Sequence, residues 1–177
     1  LNIFVVDLDP NEAARQLCDK HVFKMHTESV QLLVSLANNL GIKHHTLKKN
    51  GTLHQGGYPH HPCCKWLEES INNVDWLLHH AYELCYEHQR RSWLRGEDVL
   101  PFSYSQLNSW VGIALPWVQQ IVPNVLRTPF PQCMPEQYRC DNAVEAYRAY
   151  YIGDKSSIAE WKHLSPPAWY KQGVSCS

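Results

Sequence analysis

Apolar residues recur at helical intervals through residues 18–36 (CDKHVFKMHTESVQLLVSL), at Val22, Met25, Leu32, Leu33 and Leu36, with no Gly or Pro between them. His21, Lys24, Glu28 and Gln31 are spaced so that they form a second, polar stripe on the same helix. Upstream, residues 2–8 (NIFVVDL) are β-branched and aromatic and predict a short strand. Asp9-Pro10-Asn11-Glu12 then reads as a helix start: a cap, a first-turn proline and a capping-box carboxylate. The helix, or two in succession, should run to about Leu40, with Gly41 as its stop.

Residues 42–61 read as a loop. Asn50-Gly51 signals the turn of a small hairpin, and Gly56-Gly57 and Pro59 break regular structure. Pro62 opens a second helical region to about Trp93, with Trp66, Asn73, Leu77, His80 and Leu84 near one face. Residues 94–102 form a linker, and Ser103 caps a helix through Leu115 that Pro116 interrupts. Four prolines in 122–135 predict an extended, ordered loop. Asp141 caps a helix ending near Ile152-Gly153, a short helix covers Ser156 to Lys162, and SPPAWYKQG makes an exposed tail. These elements predict one mainly α domain over residues 1–177, a helical bundle with a short N-terminal strand.

Composition narrows the function classes. A chain of 177 residues that is 44% apolar and 19% charged is long enough for one sizeable core. The formal net charge of −1 gives no global attraction for nucleic acid, so DNA binding must rest on local basic patches. The loop with Lys43, His44, His45, Lys48 and Lys49 is one such patch. Seven Cys, two of them adjacent at Cys63 and Cys64, read as reduced thiols rather than a disulfide framework. With no secretory signal or membrane-spanning run, the expectation is a cytoplasmic protein without a membrane partner. No phosphate-binding Gly-rich loop, dinucleotide fingerprint or Gly-x-Ser-x-Gly elbow is present, which argues against kinases, dehydrogenases and serine hydrolases.

Three constellations carry candidate chemistry. Lys20, His21, Lys24 and Glu28, with His61, combine amines, imidazoles and a carboxylate. A lysine amine in a dry pocket can attack a sugar carbon, and a carboxylate can stabilise the positive charge that develops. Arg148, Lys155, Trp169, Tyr170 and Lys171 interleave cations with aromatics and suit phosphate and base contacts. Cys18-x2-His21 and His61-x2-Cys64 are two ligand pairs that suit tetrahedral zinc, with Cys63 or His60 as substitutes. Zinc is thus the alternative to a cofactor-free site. Each set also has an ordinary structural reading: a solvated helix face, an amphipathic helix, and small core thiols.

The segments NIFVVDLDPNEAARQLCDKHVFKM, HHPCCKW, TPFPQCMPEQYR and AYRAYYIGDK resemble a family of small proteins of marine phages and other viruses. That resemblance implies a viral protein made in the host cytoplasm and carries no activity with it. The His61-Pro62 helix start, the segment Trp76 to Arg91 and the tail Pro167-Ala168-Trp169-Tyr170-Lys171 resemble the all-helical pyrimidine-dimer DNA glycosylases of phages. The second resemblance implies an amine attacking the sugar of a damaged nucleotide, a first-helix carboxylate assisting, arginines on phosphates and a flipped base. Glu28 takes the carboxylate's place by helix position, while Lys20, His21 and Lys24 stand where that family has an Arg-Glu pair. The leading expectation is a base-excision glycosylase and lyase acting on DNA. The alternatives are a zinc-assisted enzyme acting on a nucleotide or modified base, and a non-catalytic phage protein that captures a nucleotide or host factor.

Overall fold

The computed structural model describes residues 1–175 and is all-α, with no β-sheet among them. Helices α1 (Pro10–Gln16), α2 (Asp19–Val22) and α3 (Met25–Asn39) follow the buried N-terminal segment. Helices α4 (Pro62–Glu69), α5 (Ile71–Leu94), α6 (Ser103–Ile113) and α7 (Leu115–Ile121) make the middle of the chain. A 3-10 turn (Glu136–Tyr138), α8 (Ala143–Asp154) and α9 (Ala168–Ser175) complete it. The long α5 is the central element and packs against α1, α2, α3, α4 and α6. No helix among the described residues is long and apolar enough to cross a membrane.

The predicted N-terminal strand does not form. Ile3, Phe4, Val5 and Val6 are buried, as a strand's would be, but their polar groups find other partners. Asn2 Oδ1 accepts the Ile3 N–H at 2.8 Å, the Val6 N–H turns back to Phe4 O at 2.8 Å, and Arg148 Nε donates to Val6 O at 2.8 Å. Phe4 adopts φ 47°, a left-handed conformation that costs an aromatic residue energy. Its ring stacks on His21 at 4.3 Å and meets Tyr147, Tyr150 and Tyr151, and this packing holds the strained backbone. The predicted hairpin shrinks to a single bridge, Leu47 with Leu53, around Asn50-Gly51.

The first helical region is broken twice where its sequence has neither Gly nor Pro. Leu17 and Cys18 are extended, and the carbonyls of Arg15 and Leu17 accept from Arg91 Nη2 and Nη1 at 2.8 and 2.7 Å. A buried guanidinium therefore satisfies the end of α1, a task that a C-terminal glycine performs elsewhere. Asp9 and Pro10 start α1 as predicted, and Gly41 follows α3 with φ 67°. Ser70 splits the second helical region by capping α5. Asn142, one residue after Asp141, caps α8.

Two C-terminal expectations are corrected. Residues 156–162 form turns rather than a helix, because Asp19 draws them in: its N–H donates to Glu160 O and its Oδ2 accepts from the Lys162 N–H, both at 2.9 Å. The tail is not an exposed extension. After Pro166-Pro167 it forms α9, which docks on α8.

Candidate active site

Glu28 lies in the first turn of α3, where the positive end of the helix favours a carboxylate. Its side chain is largely buried and faces the start of the chain. Oε2 accepts the Asn2 N–H at 3.0 Å and lies 3.9 Å from the Leu1 α-amino nitrogen. Oε1 lies 3.3 Å from Lys24 Nζ, which is exposed. One carboxylate therefore holds a side-chain amine on one oxygen and the Asn2 backbone N–H on the other.

His61 joins this neighbourhood from α4. As the N-cap it accepts the Cys63 N–H on Nδ1 at 3.1 Å. Its pKa is lowered, first by burial and then by the charge of the α-amino group, while the Glu28 charge opposes them. Cys63 Sγ lies 3.6 Å from Cys133 Sγ, across seventy residues of sequence. The hydrogen bond from Cys63 pulls the Cys133 thiol below its ordinary range and raises Cys63, so Cys133 is the more acidic of the pair. Asn2 links the two halves: its N–H donates to Glu28 and its Nδ2 donates to Cys133 O at 2.8 Å.

The rest of the predicted catalytic stripe separates. Lys20 is exposed. His21 turns inward, with Nδ1 2.7 Å from the Tyr151 hydroxyl, and burial followed by the charge of Lys155 lowers its pKa to about 4. It is thus neutral near pH 7.

The predicted metal pairs do not converge either. Cys18 and His21 share the Tyr151 hydroxyl, which lies 3.0 Å from Cys18 Sγ, and Cys64 Sγ faces Asn39 Nδ2 at 3.6 Å. The set that the fold assembles among the described residues is His61, Cys63 and Cys133, whose ligand atoms lie within 4.8 Å of one another. Cys63 was legible as a substitute ligand. Cys133 was not, because nothing in a proline-rich loop says which helix it returns to.

The C-terminal cations and aromatics mostly engage the protein itself. Arg148 donates to Val6 O and lies over the Trp169 ring at 5.4 Å. Lys155 Nζ lies 4.9 Å from the centre of the Tyr150 ring. Trp169 Nε1 donates to Gln16 Oε1 at 2.8 Å, and Tyr170 packs on Trp161 at 4.8 Å. The Lys171 N–H donates to Pro167 O, just before α9.

An open cleft of about 700 Å³ lies beside the stripe, walled by Phe23, His26, Lys48, Lys49, His88 and Phe102 among others, with no Asp or Glu in its lining. His26 bridges Ser103 Oγ and His88 Nδ1, each at 2.8 Å, and burial followed by the neighbouring His88 lowers its pKa to about 4. The basic loop therefore forms one wall of a cleft that is free of negative charge.

Comparison with known proteins gives one family. The family of pyrimidine dimer DNA glycosylases matches residues 1–99, which span α1 to α5 and include Lys24, Glu28, His61 and Cys63. No curated protein matches. No solved structure matches.

Proposed function

The chain belongs to the pyrimidine dimer DNA glycosylase family, and we propose from that premise that it excises a damaged or modified pyrimidine from DNA by amine attack. The observation that supports this reading is the largely buried Glu28 carboxylate holding the exposed Lys24 amine at 3.3 Å. The amine nitrogen bonds to C1′ of the target nucleotide as the C1′–N bond to the base breaks, and the base leaves with a proton. Glu28 stabilises the positive charge that develops at the sugar and then moves protons as the ring opens to a Schiff base. Loss of the C2′ proton expels the 3′ phosphate, and water releases the amine.

Lys24 Nζ is the exposed amine on Glu28 and is the proposed nucleophile. The cleft lined by Lys48 and Lys49 supplies a surface for phosphate with no carboxylate to repel it.

The test is borohydride trapping with ultraviolet-irradiated duplex DNA and, separately, abasic DNA. A covalent adduct is expected with both, mapping to Lys24, and Glu28→Gln should lower its yield at least tenfold. No adduct with protein in excess would refute amine attack. A second reading, a metal-assisted enzyme acting on a nucleotide or modified base, is favoured by the convergence of His61, Cys63 and Cys133. Absence of an adduct together with turnover that depends on zinc would select it.

A further inference from the structure

Cys63 and Cys133 come from α4 and from the proline-rich loop, yet both are held in place before any ion arrives. Pro62 starts α4 and puts Cys63 in its first turn, two residues after the capping His61. Cys133 is clamped through its backbone: its carbonyl accepts from Asn2 Nδ2, and its N–H donates to the Tyr147 hydroxyl at 3.3 Å. That hydroxyl in turn donates toward Pro131 O at 2.8 Å or Asn2 Oδ1 at 2.9 Å, so a buried tyrosine fixes the loop before the thiol and Asn2 fixes it after.

We propose that His61, Cys63 and Cys133 bind one soft divalent transition-metal ion, zinc above all, through an imidazole nitrogen and two thiolates, with a fourth position left for water. The separations fit. Two sulfurs each about 2.3 Å from a tetrahedral zinc lie about 3.8 Å apart, and the two Sγ atoms are 3.6 Å apart in the structure. Two thiolates and an imidazole select zinc over magnesium or calcium. The His61 lone pair that now accepts the Cys63 N–H is the donor the ion takes over, and the two thiol protons pass to solvent on binding. Three protein ligands with one open position are the pattern of a reactive rather than a purely structural zinc site. Asn2 ties this site to Glu28, donating its N–H to the Glu28 carboxylate and its Nδ2 to the Cys133 carbonyl.

The proposal rests on ligand geometry and not on the excision chemistry. Its test titrates reduced, metal-free protein with Co²⁺. One equivalent should bind, with the visible bands of tetrahedral cobalt and a thiolate charge-transfer band, and zinc should displace it. Cys133→Ser, at a half-buried loop position, should lower affinity at least tenfold and remove part of the charge-transfer intensity. Cys140→Ser, which changes an exposed thiol, should leave both unchanged. Zinc-edge X-ray absorption on the unaltered protein needs no variant and should show two sulfurs at about 2.3 Å and a nitrogen at about 2.0 Å. No stoichiometric binding, a shell without sulfur, or a cobalt spectrum that survives Cys133→Ser would overturn the site. Borohydride trapping needs no metal, so the metal site and amine attack can each fail alone.

Discussion

Replacing Arg91 by Met should destabilise the chain by about 3–5 kcal/mol, the usual cost of removing one partner of a buried ion pair. The arginine side chain is 2% exposed and its guanidinium makes four contacts: Glu87 Oε1 at 3.0 Å, Asp19 Oδ1 at 3.1 Å, and the carbonyls of Leu17 and Arg15. Methionine keeps most of the apolar stem and removes all four. Asp19 retains Arg95 at 2.7 Å and the Lys162 N–H, so the loss falls on Glu87, itself 3% exposed. The remaining partner of Glu87 is Arg90, at 3.4 Å and 57% exposed, a poor substitute. The two carbonyls that end α1 also lose their donor, which keeps the figure toward the upper half of the range.

For a chain of this length, 1 kcal/mol moves Tm by about 2–4 °C, so Arg91→Met should lower Tm by roughly 6–20 °C. The assay is thermal and urea unfolding beside Arg90→Met, whose exposed pair should cost less than about 1 kcal/mol. Adding Glu87→Leu to Arg91→Met should restore about 2 kcal/mol or more, because no unpaired carboxylate then remains. A loss below about 1 kcal/mol for Arg91→Met, or no recovery in the double variant, would refute the reasoning.

His21, His26 and His80 each have a pKa lowered to about 4, chiefly by burial. Each is neutral when folded and takes up a proton more readily when unfolded. Stability is therefore intact above about pH 6.5 and is lost as pH falls toward about 4, by up to about 1.4 kcal/mol per pH unit for each ring. Urea midpoints at pH 7, 6 and 5 should fall in that order, and His80→Gln should flatten the trend. Trp169→Ala should cost about 2 kcal/mol, because the ring packs on Tyr151 and Arg148 and its Nε1–H is bonded. Unchanged stability with weakened, salt-sensitive DNA binding would instead make Trp169 a nucleic-acid contact.

Local signals in the sequence determined several helix ends. Asp9-Pro10 and Gly41 work through capping and backbone conformation within a few residues, so their effect needs no distant partner. The Lys24–Glu28 pair was legible for the same reason, since helical spacing alone brings the two together. The aromatic run after Leu1 signalled burial correctly but not its form. Whether such a segment pairs into a sheet depends on a neighbouring strand, and here Asn2 and Arg148 satisfy its backbone instead. The breaks around Leu17 depend on Arg91, far along the chain. The tail's aromatics looked free because the sequence does not show that α9 returns to Gln16. The grouping of His61 with Cys63 and Cys133 was decided by tertiary structure alone, because ligands converge in space through the packing of elements and not through their spacing along the chain.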